Sequence, residues 1–221
     1  MILLAENAVS SEMRRNVLLA ACAALMPGTG LMAAAPRKDF MEQIDKTTDK
    51  PNPKAPAALS QFAFLIGHWR FDAKFKTPHG EWQTFQGTWI GRYILDARVI
   101  ADEYKMLGAD GKVMVHGMNF RVYDAAKQLW NIKWLNALEG TWTDLTAEEY
   151  GAAKFEGQSV SYTFREPMGA SAGWKAAYTR ATYTNVSPSF FTWRGDKSDD
   201  RTTWTEFMVV ECRRSGHDGQ L

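Results

Sequence analysis

The sequence predicts an all-β domain, a single antiparallel up-and-down β-barrel of about nine or ten strands, preceded by a leader and a tether. Three observations point there. From Gln61 onward, runs rich in Trp, Tyr, Phe, Val and Thr recur at roughly ten-residue spacing. Turn-forming clusters separate them, among them Pro78-His79-Gly80, Gly108-Ala109-Asp110-Gly111, Asp124-Ala125-Ala126-Lys127 and Gly195 to Asp200. Several runs alternate with a period of two, which sends one set of side chains inward and the other into water. No long helical stripe and no strand–helix–strand spacing follows the tether, so an α/β architecture is excluded. A sheet of this many strands exposes its edges unless it closes, which favours a barrel over a sandwich.

Residues 1–35 read as an export signal. Arg14 and Arg15 precede the largely apolar run Val17 to Met26, then Pro27-Gly28-Thr29-Gly30 and Leu31-Met32-Ala33-Ala34-Ala35. A cationic start, a short apolar core and small closing residues are the three parts of such a signal, and the core is shorter than the roughly 20 residues that span a bilayer. Arg14-Arg15-Asn16-Val17-Leu18 resembles a twin-arginine signal, which makes Met13 the expected start and puts cleavage near Ala33 to Ala35. The mature protein is then expected in the periplasm or outside the cell, with no integral membrane span. Leu19-Ala20-Ala21-Cys22 also resembles a lipoprotein cleavage box. Only five residues separate Asn16 from Cys22, however, and an apolar core usually needs about 7 or more, so lipid anchoring at Cys22 is the lesser alternative.

Residues 36–60 form the expected tether. They are polar and carry Pro51, Pro53 and Pro56, with a short helix expected over Lys38 to Lys46 and ordered structure from Ala57 or Ala58. The barrel follows at 61–214 and a polar tail at 215–221. Within the barrel the inward faces are read as Trp69, Phe71, Ala73 and Phe75; Met114, His116, Met118, Phe120 and Val122; Trp130, Ile132 and Trp134; and Trp204, Glu206, Met208 and Val210.

Charge and cysteine content narrow the partners. The chain of 221 residues is 45% hydrophobic and 23% charged, as one globular domain with an appendage would be, and unlike a disordered or collagen-like chain. Its 26 Lys and Arg against 25 Asp and Glu leave no basic field to hold a phosphate backbone, so nucleic acid is not an expected partner. Loss of residues 1–35 removes Arg14, Arg15, Glu6 and Glu12 and keeps the net charge at +1. With Cys22 gone, Cys212 is the lone thiol; no internal disulfide is available, and Cys212 reads as a small buried side chain.

Phe62-Ala63-Phe64-Leu65-Ile66-Gly67-His68-Trp69, Glu81-Trp82, Gly87, Gly117 to Arg121, Tyr123-Asp124, Trp130 to Trp134 and the closing Trp204 to Arg213 resemble an uncharacterised bacterial family of calycin-like, or lipocalin-like, barrels. Its members open with Phe-x-x-Leu-x-Gly-x-Trp and close on a Trp-containing strand that ends in Arg. The resemblance covers about residues 61–214. By analogy of fold it implies binding of small apolar molecules inside the barrel. The haem-binding nitrobindins share a similar Leu-x-Gly-x-Trp start but carry a proximal His near the end of the barrel. Here the strand Trp204 to Arg213 has no His, and His217 lies beyond it, so haem is not expected and no cofactor is implied.

Phosphate-loop and metal motifs are absent, and His68, His79, His116 and His217 are scattered. Gly169-Ala170-Ser171-Ala172-Gly173 matches the Gly-x-Ser-x-Gly nucleophile pattern, yet Pro167 precedes it and a strand-like run follows, so it reads as a hairpin loop. More informative are polar residues assigned to apolar faces, because an inward polar group is costly unless paired or wetted. His116, Glu206, Arg180 and Asp144 qualify. They are expected to line a cavity beside Trp69, Trp130, Trp134 and Trp193, although each also fits a satisfied core or rim residue, and Arg180 with Glu206 fits a buried ion pair.

The function expected from these residues is binding of a small hydrophobic or aromatic molecule inside an exported barrel. One alternative is a cofactor-independent lyase, isomerase or hydrolase, with His116 and Glu206 as an acid–base pair and Tyr178 and Arg180 holding an oxyanion. Another is an envelope scaffold with a solid core. A pocket of about 300 Å3 or more would favour binding or catalysis, and a filled interior the scaffold. Oligomeric state is not legible.

Overall fold

Alternation in the first strand holds: Trp69, Phe71 and Ala73 are buried while Arg70, Asp72 and Lys74 are exposed. The structure is a computed structural model that describes residues 49–145, 153–165 and 177–216. The expected leader, the Lys38 to Lys46 helix, the Gly169 to Gly173 loop and His217 lie outside the described residues. Eleven strands follow a 3-10 helix, Ala57–Leu65: β1 (Gly67–Lys76), β2 (Trp82–Ile94), β3 (Val99–Leu107), β4 (Val113–Asp124), β5 (Leu129–Asn136), β6 (Thr141–Asp144), β7 (Lys154–Glu156), β8 (Ser159–Arg165), β9 (Tyr178–Thr184), β10 (Phe190–Ser198) and β11 (Thr205–Arg214). The count exceeds the expected nine or ten because β6 and β7 are separate short strands. Among the described residues no helix is long and apolar enough to cross a membrane.

All strands lie in one antiparallel sheet of order β6-β5-β4-β3-β2-β1-β11-β10-β9-β8-β7. The chain meanders outward from β1 to β6, resumes at β7 and returns to pair β11 with β1. The sheet curls into a half-barrel. Inner-face side chains of β4 and β9, six places apart in the order, meet where Arg121 Nη2 donates to the Tyr183 hydroxyl at 2.9 Å. Closure is therefore not a continuous ladder: among the described residues β6 and β7 are the sheet's two ends and do not pair with each other.

Packing by the 3-10 helix draws the two arms together at one end. Leu59, Phe62 and Leu65 are fully buried beneath it. The Phe62 ring meets Trp130 of β5 at 4.9 Å, Phe155 of β7 at 5.3 Å and Tyr183 of β9 at 6.2 Å. One aromatic ring thus touches strands from both arms, with edge-on geometry that the ring quadrupoles favour. The segment ahead of the helix is attached too, where a tether through residue 60 was expected. Asn52 donates its backbone N–H to Ala97 O at 2.9 Å and its side-chain amide to the Asp96 carboxylate at 2.7 Å, in the turn between β2 and β3.

The seam between the first and last long strands carries its own clamp. Trp69 pairs with Arg214 across the ladder. The guanidinium lies 4.1 Å from the Trp69 ring, and its Nη1 donates to Ile66 O at 2.9 Å. Inner-face glycines make room for rings elsewhere. A Cβ on Gly87 would lie 2.3 Å from the Phe71 ring, and one on Gly117 would lie 2.4 Å from Trp134. The interior is filled by rings that reach over glycine, so small and large residues alternate around the curve.

Phe62→Ala should cost about 3–5 kcal/mol of stability in urea unfolding, because the cavity left behind sits where both arms are joined. A loss below about 1 kcal/mol would show that the helix is not what holds the arms together.

Candidate functional site

The interior is organised by charges that alternation hides among apolar neighbours. On β3, Ile100, Asp102, Tyr104 and Met106 face inward. Register across the β3–β4 hairpin sets Ile100 opposite Arg121, Asp102 opposite Asn119 and Tyr104 opposite Gly117. Arg121 and Asn119 are thereby drawn inside. Asp102 and Arg121 are both 0% exposed and form an ion pair through Oδ2 and Nη1. The other Asp102 oxygen, Oδ1, accepts from Trp89 Nε1 at 2.7 Å and from Asn119 Nδ2 at 2.9 Å. The Arg121 guanidinium also lies 5.2 Å from the Phe62 ring. A buried charge is tolerable when paired and hydrogen-bonded in this way.

Above this floor, at the end of the half-barrel away from the 3-10 helix, lies a cavity of about 180 Å3. Trp89, Asn119 and Tyr183 form its base, so the polar network ends at the cavity. Tyr104, Trp134, Phe164 and Trp193 make its walls. Phe75, Val115 and Met208, all only partly buried, stand at the rim. The volume is below the roughly 300 Å3 of pockets for drug-sized molecules, yet apolar protein cavities of about 150 Å3 take up a benzene ring. A groove of about 990 Å3 also crosses the outer side of β1, β2 and β11 and the β3–β4 turn, where Trp82, Phe85 and Leu107 lie beside Asp72, Lys74 and Glu211.

Tyr104 supplies the cavity's clearest polar handle. Its ring stacks on Phe71 at 4.7 Å and 11°, and among the described residues its hydroxyl meets only the Met106 thioether, at 3.5 Å. A thioether is a weak acceptor, so the donor remains available to a guest. Burial pushes Tyr104 well above the usual tyrosine range, and Tyr183 likewise, the latter through burial and the adjacent Tyr162 against the pull of Arg121. Both hydroxyls therefore stay protonated through neutral pH. Burial raises the Cys212 thiol as well.

Of the residues expected to line the interior, Trp134 and Trp193 line the cavity. Trp69 and Trp130 point inward but are consumed at the closed end. Trp69 Nε1 donates to Leu65 O at 3.0 Å and Trp130 Nε1 to Gln61 Oε1 at 2.9 Å. The other four face outward. His116 shares the outer face of β4, opposite Lys105, and its Nε2 pairs with Glu103 Oε1 at 2.9 Å. The more apolar parity of β4 is the outer one: Met114 and Val122 are exposed, and Phe120 rests against the exposed Trp142, with centroids 5.7 Å apart. Glu206 is turned out because Phe207 is an extra residue in the β10–β11 ladder, where Gly195 pairs with Met208 and Asp196 with Glu206. This bulge inverts the alternation between Met208 and Glu206.

Arg180 and Tyr178 also lie on the outer face of β9, whose inward residues are Thr179, Ala181 and Tyr183. Asp144, 64% exposed, pairs with Lys133 at 3.2 Å. His116 and Glu206 stand on strands separated by β3, β2 and β1, so the acid–base constellation does not assemble. The charged residues that do organise the interior, Asp102 and Arg121, were missed. Their signal was the hairpin: once Ile100 and Tyr104 are inward, the partners across the Gly108–Gly111 turn share that face.

Neither a family model nor a curated protein sequence matches the chain. Among solved structures it resembles Rv2717c from M. tuberculosis, with a TM-score of 0.51 and 9% identity over 74% of this chain and 100% of that one. A de novo designed fluorescence-activating β-barrel matches with a TM-score of 0.34 and 16% identity over 72% of this chain and 99% of that one. The first likeness supports the fold.

Asp102→Ala should cost about 3–5 kcal/mol by leaving Arg121 buried and unpaired, whereas the apolar pair Asp102→Leu with Arg121→Met should cost less than that single change. Urea unfolding of both variants separates a paired charge from mere packing. Stability should also fall with alkali. Tyr104 and Tyr183 have raised pKa values when folded, so their contribution is complete below the ordinary tyrosine value of 10.0 and is lost as pH rises beyond it. Ultraviolet titration should find these two phenols ionising only with unfolding; early ionisation in folded protein would contradict the burial.

Proposed function

We propose that the half-barrel binds a small single-ring aromatic molecule carrying one acceptor oxygen, and that it does so as an exported protein. The observation that carries this reading is the aromatic-walled cavity of about 180 Å3, bounded below by the hydrogen-bonded network of Asp102, Trp89 and Asn119. Size sets the class: the space is near the roughly 150 Å3 that accepts one benzene ring and too small for a lipid chain with its head group. The Tyr104 hydroxyl sets the orientation, since its only described partner is a thioether 3.5 Å away. Export rests on the leader-like residues 1–35.

Catalysis by the residues first considered loses its geometric basis, because His116 and Glu206 lie on outer faces. The scaffold remains the outcome that a failed binding test would favour.

Calorimetric titration with acetophenone and ethylbenzene tests the reading. Acetophenone should bind about tenfold more tightly, the worth of one hydrogen bond in a dry site. Tyr104→Phe should remove the difference while leaving ethylbenzene bound. Ala181→Met, which fills the cavity, should abolish both. Absence of binding by either compound to the unaltered chain would leave the half-barrel a scaffold.

A further inference from the structure

A second groove, of about 500 Å3, lies on the outer face of β7, β8 and β9 beside residues 199–204. Its floor is a row of hydroxyls flanked by cations. Lys154 sits opposite Ser161, and Thr163 opposite Arg180, all on one face of the sheet. Arg201 and Trp204 complete the far wall.

Arg180 is held in place before any guest arrives. Its Nε and Nη2 donate to Asp196 Oδ2 at 3.3 and 3.0 Å, and its guanidinium lies 4.4 Å from the Trp204 ring. The Asp196 side chain is only 5% exposed and is also held by Arg194 Nε at 3.2 Å. Nη1 of Arg180 has no partner among the described residues. Lys154 likewise has no described carboxylate partner. Asp200, the acidic residue lining the groove, accepts at Oδ1 from Thr202 N and Thr203 N at 2.8 Å each and from Ser198 Oγ at 3.0 Å, and at Oδ2 from Thr203 Oγ1 at 3.4 Å, so its own loop holds it.

A fixed guanidinium, an uncommitted ammonium and neighbouring hydroxyls are all donors, and their geometry suits an oxyanion rather than a cation or an apolar group. We propose that this groove binds the phosphate or sulfate group of a small molecule, at a site separate from the interior cavity. Arg180 and Lys154 supply the charge; Ser161 and Thr163 donate from below.

Nuclear magnetic resonance titration of the full chain at constant ionic strength tests this, with inorganic phosphate and sulfate as probes and chloride as control. The reporter is the Trp204 indole N–H, which donates to Arg201 O at 3.1 Å. Phosphate, sulfate or both should shift it saturably, and chloride should not. Lys154→Gln and Arg180→Gln should each weaken binding about tenfold, as expected for loss of one charge-assisted contact. Lys154→Gln disturbs no described partner, so its result stands even if Arg180→Gln impairs folding by unbalancing Asp196. Shifts that do not saturate, that chloride reproduces, or that survive Lys154→Gln unchanged would overturn the proposal.

Discussion

A buried ion pair between Asp102 and Arg121 fixes how the two arms of this sheet meet and what kind of space they leave. Both side chains are wholly enclosed, and neither could remain charged there without the other. Satisfying Asp102 requires Trp89 and Asn119 on one side; satisfying Arg121 brings Tyr183 from the opposite arm. Through the Arg121–Tyr183 hydrogen bond the pair is tied to a strand far away in the sheet order, and that bond stands in for part of the closure that β6 and β7 do not provide among the described residues. Because Arg121 also faces the Phe62 ring, the polar link and the apolar cap of the 3-10 helix share one residue.

Position along the barrel axis then separates the aromatic residues by role. Trp69 and Trp130 sit at the capped end, where their indole N–H groups are used by Leu65 and Gln61. Trp134 and Trp193 sit beyond the polar floor, against the cavity. Chemically similar side chains are packed and hydrogen-bonded at one end and cavity-facing at the other, and the difference lies in whether the 3-10 helix or the open space is above them. The network around Asp102 bounds the cavity below, and the Tyr104 hydroxyl stands in its wall.

The outer surface is also patterned. On β4 the apolar residues Met118, Phe120 and Val122 face outward while Gly117, Asn119 and Arg121 face in, an inversion of the ordinary rule that is tolerated because Asn119 and Arg121 both pair with Asp102. On β9 the ordinary rule holds: Ala181 and Tyr183 face in, and Arg180 lies outside against Asp196 and Trp204. Its pairing with a well-buried carboxylate orders the cationic face around it.

How far the sequence reached can be followed strand by strand. Turn clusters and aromatic runs established an all-β antiparallel meander, and alternation placed β1 and β5 correctly because their polar and apolar residues separate cleanly. Cys212 was legible as a small buried residue. On β4 the inward choice depends on partners across the hairpin and across the half-barrel, so local hydrophobicity selected the wrong parity; on β9 the face of Ala181 and Tyr183, not that of Tyr178 and Arg180, is the inward one. On β11 one extra residue, Phe207, reversed the alternation, and no period of two can reveal a bulge that exists only relative to β10. Composition and local period determined the architecture, since they act through short-range sterics and burial. Tertiary pairing alone decided which charges went inside, because the free energy of burying Asp102 depends on an arginine that the chain brings to it only when folded.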